Sequence, residues 1–136
     1  MSRRKAREIA FKVIFQVDQV DAEPRSAFKY LMEEQMLQDK DYEFSWTLID
    51  GCLHNLAQID ASIVRYSTDW SIERMSSVDR NLMRVAAYEL LYLEGSEPAV
   101  AIDEAIEISK RYGESNSAAF INAILDKINR DKPSKS

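Results

Sequence analysis

The sequence predicts an all-α protein, and three observations carry that reading. Apolar residues recur at helical spacing along the chain, most fully at Ala10, Val13, Ile14 and Val17, which keep the i, i+3, i+4 and i+7 spacing of one helical face. No stretch shows sustained strand alternation. Only three glycines and three prolines occur in 136 residues, few for a chain that must make many tight β turns.

The first helix is expected over about 3–20. Ile9, Ala10, Val13, Ile14 and Val17 form its apolar stripe, and Phe11 and Phe15 lie about 100° round from it. A second helix starts near Pro24, a residue suited to a first helical turn, and carries Phe28, Leu31, Met32, Gln35 and Met36. A long third helix is expected over about 40–66, with Phe44, Leu48, Ile49, Cys52, Leu56, Ile59 and Ile63 apolar. Gly51 inside it costs about 1 kcal/mol against alanine, which predicts close packing of another helix there. Residues 67–74 read as a connection with one short helical turn around Trp70. Ser76 is placed to cap a fourth helix, with Asp79 three positions on; that helix runs through Leu82, Met83, Val85, Ala86, Tyr88, Leu90 and Leu91. Gly95-Ser96-Glu97-Pro98 breaks it. The fifth helix covers about 99–112 and ends at Gly113, a fitting C′ residue. Ser115-Asn116-Ser117 offers a cap for the sixth, which carries Phe120, Ile121, Ile124, Leu125 and Ile128. Residues 132–136 read as a polar tail. Six helices on short loops make an antiparallel bundle, or two bundles sharing a face. No repeat of roughly 30–45 residues is visible, which excludes a solenoid.

Composition bounds the function. The chain is 46% hydrophobic and 30% charged, a globular balance, and at this length it can bury a core without disulfides or metals. A single cysteine, Cys52, and a single histidine, His54, exclude a disulfide framework and speak against a Cys/His zinc site. No apolar run approaches the length of a membrane span, and the N-terminus lacks a secretory apolar region, so the cytoplasm is the expected compartment. There is no GxGxxG and no GxxxxGK[ST]. Cys52 and His54, two positions apart, point in different directions on a helix; Cys52 reads as a small buried hydrophobe and His54 as a surface or boundary residue. Glu33-Glu34 and Asp103-Glu104 are adjacent acids that diverge around a helix instead of converging on a substrate, while Glu104 and Glu107 are spaced to pair with Lys110 and Arg111. No catalytic, metal or cofactor site is expected.

Charge is unevenly spread. The net charge is −5, yet residues 1–20 hold five basic and two acidic groups and residues 111–136 five basic and three acidic, against eight basic and eighteen acidic in residues 21–110. Nucleic-acid binding needs a local basic patch more than a basic average. Arg3, Arg4, Lys5 and Arg7 crowd the first turns of the first helix, where positive charge opposes the macrodipole. Charge alone leaves two readings open, a solvated terminus or a set of phosphate contacts. Phe11 and Phe15 belong either to the core or to a partner-binding patch. The start of the sixth helix is a second candidate site. Its free backbone N–H groups suit an anion, Asn116 adds no repelling charge, and Tyr112 and Phe120 stand nearby as surfaces on which unpaired bases stack.

Three blocks of residues are familiar as a set. They are Arg4-Lys5-Ala6-Arg7-Glu8-x-Ala10; Val78-Asp79-Arg80-x-Leu82-x-Arg84-x-Ala86-x-Tyr88-Glu89-Leu90; and Pro98-x-Val100-Ala101-Ile102-Asp103-Glu104-Ala105 with Lys110-x-Tyr112-Gly113, followed by Ser117-x-x-Phe120-Ile121-Asn122-x-x-Leu125-Asp126. Together they resemble the NusB family of transcription antitermination factors. The resemblance covers nearly the whole chain, weakly over about 20–66, and the two C-terminal blocks are its most specific part.

The resemblance implies an all-α fold of two perpendicular helical subdomains, a three-helix bundle over about 1–66 and a C-terminal helical bundle over about 67–131. It implies binding to boxA, a short single-stranded RNA element of nascent transcripts, especially ribosomal RNA leaders. It further implies a heterodimer with the small ribosomal protein NusE and action with RNA polymerase and other Nus factors in the elongation complex. The RNA-facing positions would include Arg3, Arg4, Tyr112, Asn116 and Phe120, and the NusE-facing positions Phe15 and Asp79. Three positions depart from the family's pattern. Asp103 stands where asparagine is usual, Asn116 where an acid is common, and Phe15 where a tyrosine is common. The second change removes a charge that would repel phosphate; the third removes a hydroxyl from the NusE-facing surface. Some ribosomal RNA cytosine methyltransferases carry a similar N-terminal domain, but this chain has no glycine-rich cofactor loop, and its polar tail leads us to expect a free-standing protein.

Overall fold

The structure, a computed structural model, describes residues 2–67 and 71–132. Among them are seven α-helices and no strand: α1 (Ser2–Val20), α2 (Pro24–Gln35), α3 (Asp39–His54), α4 (Leu56–Tyr66), α5 (Ser77–Tyr92), α6 (Pro98–Tyr112) and α7 (Ser117–Asp131). The all-α expectation holds. The long third helix does not: it is two helices, broken at Asn55. There φ and ψ reach −116° and 21°, and the Asn55 side chain donates to the Gly51 carbonyl at 2.8 Å, closing the turn from outside the helix ladder. The short turn expected around Trp70 falls outside the described residues; a 3-10 turn follows at Ile72–Arg74.

Several local signals work as their chemistry suggests. Pro24 opens α2, and the Glu23 carboxylate caps it by accepting from the backbone N–H groups of Ser26 (2.9 Å) and Arg25 (3.1 Å). Ser76 Oγ accepts from the Asp79 N–H at 3.0 Å at the start of α5. Gly51 faces α5 so closely that a Cβ there would collide with the Tyr88 ring, which is the close helix approach its position predicts. Gly113 follows α6 but is extended (φ −97°, ψ −172°), not left-handed. Glycine suits that position because a Cβ would stand 2.6 Å from Ser117 Oγ and 2.9 Å from the Ser109 carbonyl.

Helix α1 packs on α2, α3 and α5, while α5 also packs on α3, α4, α6 and α7. Both helices are therefore central. Ile9, Ala10, Val13 and Ile14 of α1 are buried, as the apolar stripe predicts, and Phe11 is buried beside them. Phe11 thus belongs to the core. Its exposure is 3%, so it offers no surface to a partner, and the partner-patch reading of this residue is corrected. Cys52 is buried, and desolvation pushes its thiol up to about 12, the state of an inert core side chain. His54 is exposed.

Helix α5 is buried almost all round, including its charges. Arg80 gives Nη2 to Asp18 at 2.6 Å and Nη1 to the carbonyls of Ile72 and Met75. Arg84 forms a bidentate pair with Asp60 of α4, both bonds 2.8 Å, and donates to Asn81 Oδ1 at 3.0 Å. Asn81 in turn donates to Asp18 at 2.9 Å. These bonds tie the C-terminal end of α1 and the middle of α4 to α5.

Burial pushes the Asp18 carboxyl up, but hydrogen bonds from Asn81, Arg80 and Gln19 and the Arg80 charge outweigh it and hold it at about 2, against an ordinary 3.8. A carboxyl depressed on folding contributes its full stabilisation above the unfolded value and loses it as pH falls through the folded one. Stability should therefore decline between about pH 4 and pH 2. Asp18→Asn should lower stability at neutral pH by about 2 kcal/mol, because Arg80 loses its charged partner, and should make the acid decline shallower. Urea unfolding at several pH values checks this, and an unchanged acid slope in the variant would contradict it.

Candidate nucleic-acid interface

The first two turns of α1 separate the four basic residues by their surroundings. Arg3, Arg4 and Lys5 are exposed; Arg7 is not. The Arg7 side chain is only 12% exposed, and it gives Nε and Nη2 to the buried carboxylate of Glu89 at 3.0 and 2.6 Å. Ser96 Oγ donates to the same carboxylate at 2.7 Å. Arg7 is thereby a strut between α1 and α5 rather than a free phosphate ligand, which corrects its reading as part of the open patch.

The exposed arginines are held, each differently. The Arg3 guanidinium lies 4.0 Å over the Phe44 ring of α3, a cation–π contact that leaves its outer face open. Beneath it is Asp41, fully buried, with both carboxylate oxygens lacking a hydrogen-bond partner and Arg3 Nε at 4.0 Å. Arg4 reaches the other way, to Glu104 of α6, with Nε and Nη2 at 2.9 and 2.7 Å from the two carboxylate oxygens. That bond, and then the charge of Arg4, hold the Glu104 carboxyl below the usual carboxylate range against the effect of burial.

One turn further along α1, Glu8 gathers the end of α6. Arg111 donates to it at 3.0 Å, the Tyr112 hydroxyl donates to its other oxygen at 2.5 Å, and Lys12 lies 3.6 Å away. Burial and then this bond to Glu8 raise the Tyr112 phenol above its ordinary value. The Tyr112 ring packs on Phe11 with centroids 5.6 Å apart, and Phe11 on Phe15 at 5.9 Å. Phe15 is half-buried and keeps some surface. Tyr112 and Phe15 thus flank a core ring, one toward the basic helix start and one away from it. Of the pairs expected along α6, Glu107–Lys110 forms at 2.8 Å, while Glu104 and Arg111 turn to α1 instead.

The start of α7 makes a separate feature. Asn116 is exposed at the N-cap but makes no side-chain cap bond; Ser117 Oγ instead accepts from the Glu114 N–H at 2.9 Å. Asn116 and Phe120 line an open cleft of about 310 Å³ with Arg74, Met75, Ser76, Asp79 and Glu114. Asp79 is 8% exposed, and its Oδ1 has no hydrogen-bond partner. The structure therefore brings Asp79 together with Asn116 and Phe120, which the sequence reading had assigned to different ligands. The carboxylates Glu8 and Glu104 and the cleft residue Arg74 were missed, because only the packing of distant helices places them at these positions.

A small helical protein with a basic helix start, an adjoining aromatic row and a polar cleft has the surface of a binding module for polyanions and protein partners. No group of three or more His, Cys, Asp or Glu among the described residues is arranged to hold a metal. Comparison with known proteins makes the class specific. Residues 4–130 match the NusB family. The chain is 61% identical over 132 residues to the transcription antitermination protein NusB of Syntrophomonas wolfei, covering 97% of this chain and 98% of that one. It is 47% identical to the NusB of Pelotomaculum thermopropionicum over 129 residues, covering 94% and 89%. T. maritima NusB superposes with a TM-score of 0.90 at 41% identity, covering 98% of this chain and 94% of that one. A crystal structure of antitermination factors NusB and NusE in complex with double-stranded RNA matches at TM-score 0.87 and 28% identity, over 95% and 96%. The chain belongs to the NusB family of transcription antitermination proteins, which are not enzymes.

The corrected role of Arg7 can be tested on stability alone. Arg7→Ala strands the buried Glu89 carboxylate and should cost about 3 kcal/mol in urea unfolding, whereas Lys5→Ala, at an exposed site, should change stability by less than about 0.5 kcal/mol. A loss below about 1 kcal/mol for Arg7→Ala, the range of a surface pair, would contradict the strut.

Proposed function

We propose that this protein binds boxA RNA as a heterodimer with the ribosomal protein NusE and, with RNA polymerase and the other Nus factors, promotes processive transcription of ribosomal RNA operons in the cytoplasm. The observation that carries the reading is the exposed Arg3–Arg4–Lys5 cluster on an otherwise acidic chain. The neighbouring solved complex of NusB and NusE with RNA supports the choice of partners. No helix among the described residues is long and apolar enough to cross a membrane.

In this reading Arg3, backed by the Phe44 ring, and Arg4 contact phosphates, and Lys5 adds charge beside them. Tyr112 and Phe120 offer ring faces to bases, and Asn116 receives RNA at the start of α7 without the repulsion an acid would bring. Phe15 and Asp79 face NusE. The two helical subdomains serve this division, α1 presenting the phosphate-binding end and the C-terminal helices the cleft. No bond is made or broken; the activity is recognition.

Fluorescence anisotropy of labelled boxA RNA, with and without NusE, at two salt concentrations tests the proposal. Binding should tighten with NusE, weaken with salt and exceed that of a scrambled RNA. Arg3→Ala with Arg4→Ala should weaken binding and flatten the log–log salt slope by about 1.4, two single-strand phosphate contacts. No preference over scrambled RNA in the presence of NusE would overturn the function, and an unchanged slope in the double variant would remove the helix start from the interface.

A further inference from the structure

The edge of Arg4 that a phosphate would take is already occupied. A guanidinium binds a phosphate or a carboxylate by the same pair of parallel N–H donors. In Arg4 that pair, Nε and Nη2, is spent on Glu104. The two partners are unequal in freedom: the Arg4 side chain is 44% exposed, and that of Glu104 only 16%. The carboxylate is therefore the fixed member, standing on α6, and the arginine is the one that can swing away. Glu104 would not be abandoned if it did. Arg7 Nη1 lies 4.0 Å from it, and Arg7 is itself anchored by Glu89. The arrangement has what an exchange requires, a movable cation and a second cation left behind for the acid.

We propose that Glu104 is an autoinhibitory residue, whose carboxylate competes with RNA phosphate for Arg4. The proposal rests on the RNA-binding reading above. An RNA held by charge alone gains little from Arg4, because each new phosphate bond is offset by a lost carboxylate bond. The carboxylate thus lowers the net gain from an Arg4–phosphate contact for any RNA that makes one. Glu8 holds Arg111 and Tyr112 in the same way one turn along α1.

Glu104→Gln removes the charge and keeps the shape. With the protein–NusE heterodimer and a labelled scrambled RNA, the variant should bind about two- to five-fold tighter, the range of an exposed ion pair, with a log–log salt slope steeper by about 0.7, one more phosphate contact. The gain for boxA RNA should be at least as large, because any RNA that contacts Arg4 is relieved of the same competition. Glu104→Asp, which retracts the carboxylate from Arg4, should give an intermediate gain, and adding Arg4→Ala to Glu104→Gln should abolish it. Circular dichroism and melting temperature confirm that each variant is folded. If scrambled RNA binds Glu104→Gln no better than wild type while Arg4→Ala weakens boxA binding, Glu104 is a structural strut and the proposal fails with the RNA reading intact. If Arg4→Ala leaves boxA binding unchanged, the helix start is not the RNA site and both fail.

Discussion

Three of the four charged residues on a helix buried almost all round set the terms for the rest of the structure. Arg80, Arg84 and Glu89 of α5 must each find a charged partner, because an unpaired charge in the interior costs several kcal/mol. The partners come from elsewhere in the chain: Asp18 near one end of α1, Arg7 near the other, and Asp60 on α4. Apolar packing would tolerate small slides of α1 along α5. The bidentate Arg7–Glu89 pair near one end and the two Arg80 donors that converge on Asp18 Oδ2 near the other do not, since such charge-assisted bonds hold only in a narrow geometry. The register of α1 on α5 is fixed by charge, while Ile9, Val13 and Ile14 of α1 are buried in the core.

That register decides what α1 displays. With Arg7 turned inward, Arg3, Arg4 and Lys5 are left at the surface, and the rings of Phe11 and Tyr112 come together beside them. An acidic protein thereby presents a local basic end. The same helix also carries the half-buried Phe15 one turn beyond Phe11, so in the proposed reading one element serves both RNA and NusE. Much of the basic end is nevertheless satisfied within the molecule, by Phe44, Glu104 and Glu8. In the proposed reading, a phosphate that reaches Arg4 replaces an internal partner, Glu104.

The helices were legible because a buried face repeats every 3.6 residues, and the caps at Pro24 and Ser76 were legible because their chemistry is local. Gly51 announced a close approach, and the structure supplied Tyr88 as its cause. The break at Asn55 was not legible, since the apolar period continues through it from Cys52 to Leu56 and Ile59. Arg7 was misread for a different reason. Its partner Glu89 lies 82 residues away, and no local pattern tells a paired arginine from a free one. Phe11 and Phe15 are one turn apart on the same helix, yet Phe11 is buried and Phe15 half-buried, a difference made by the packing of distant residues such as Tyr112. The basic cluster was legible from charge, and the start of α7 from its free N–H groups and the nearby Tyr112 and Phe120; only the resemblance favoured RNA binding for the arginines, because phosphate-binding and solvated arginines look alike in sequence.

The most direct test is amide hydrogen exchange on the heterodimer with NusE, compared with and without boxA RNA. Bound RNA should add protection over residues 2–8, at the start of α1, and over residues 112–120, from the end of α6 into α7, while the amides of α2 stay as they were. Protection confined to α2 and α3, with the two predicted segments unchanged, would contradict the placement of RNA on the end of α1 that α5 holds in register.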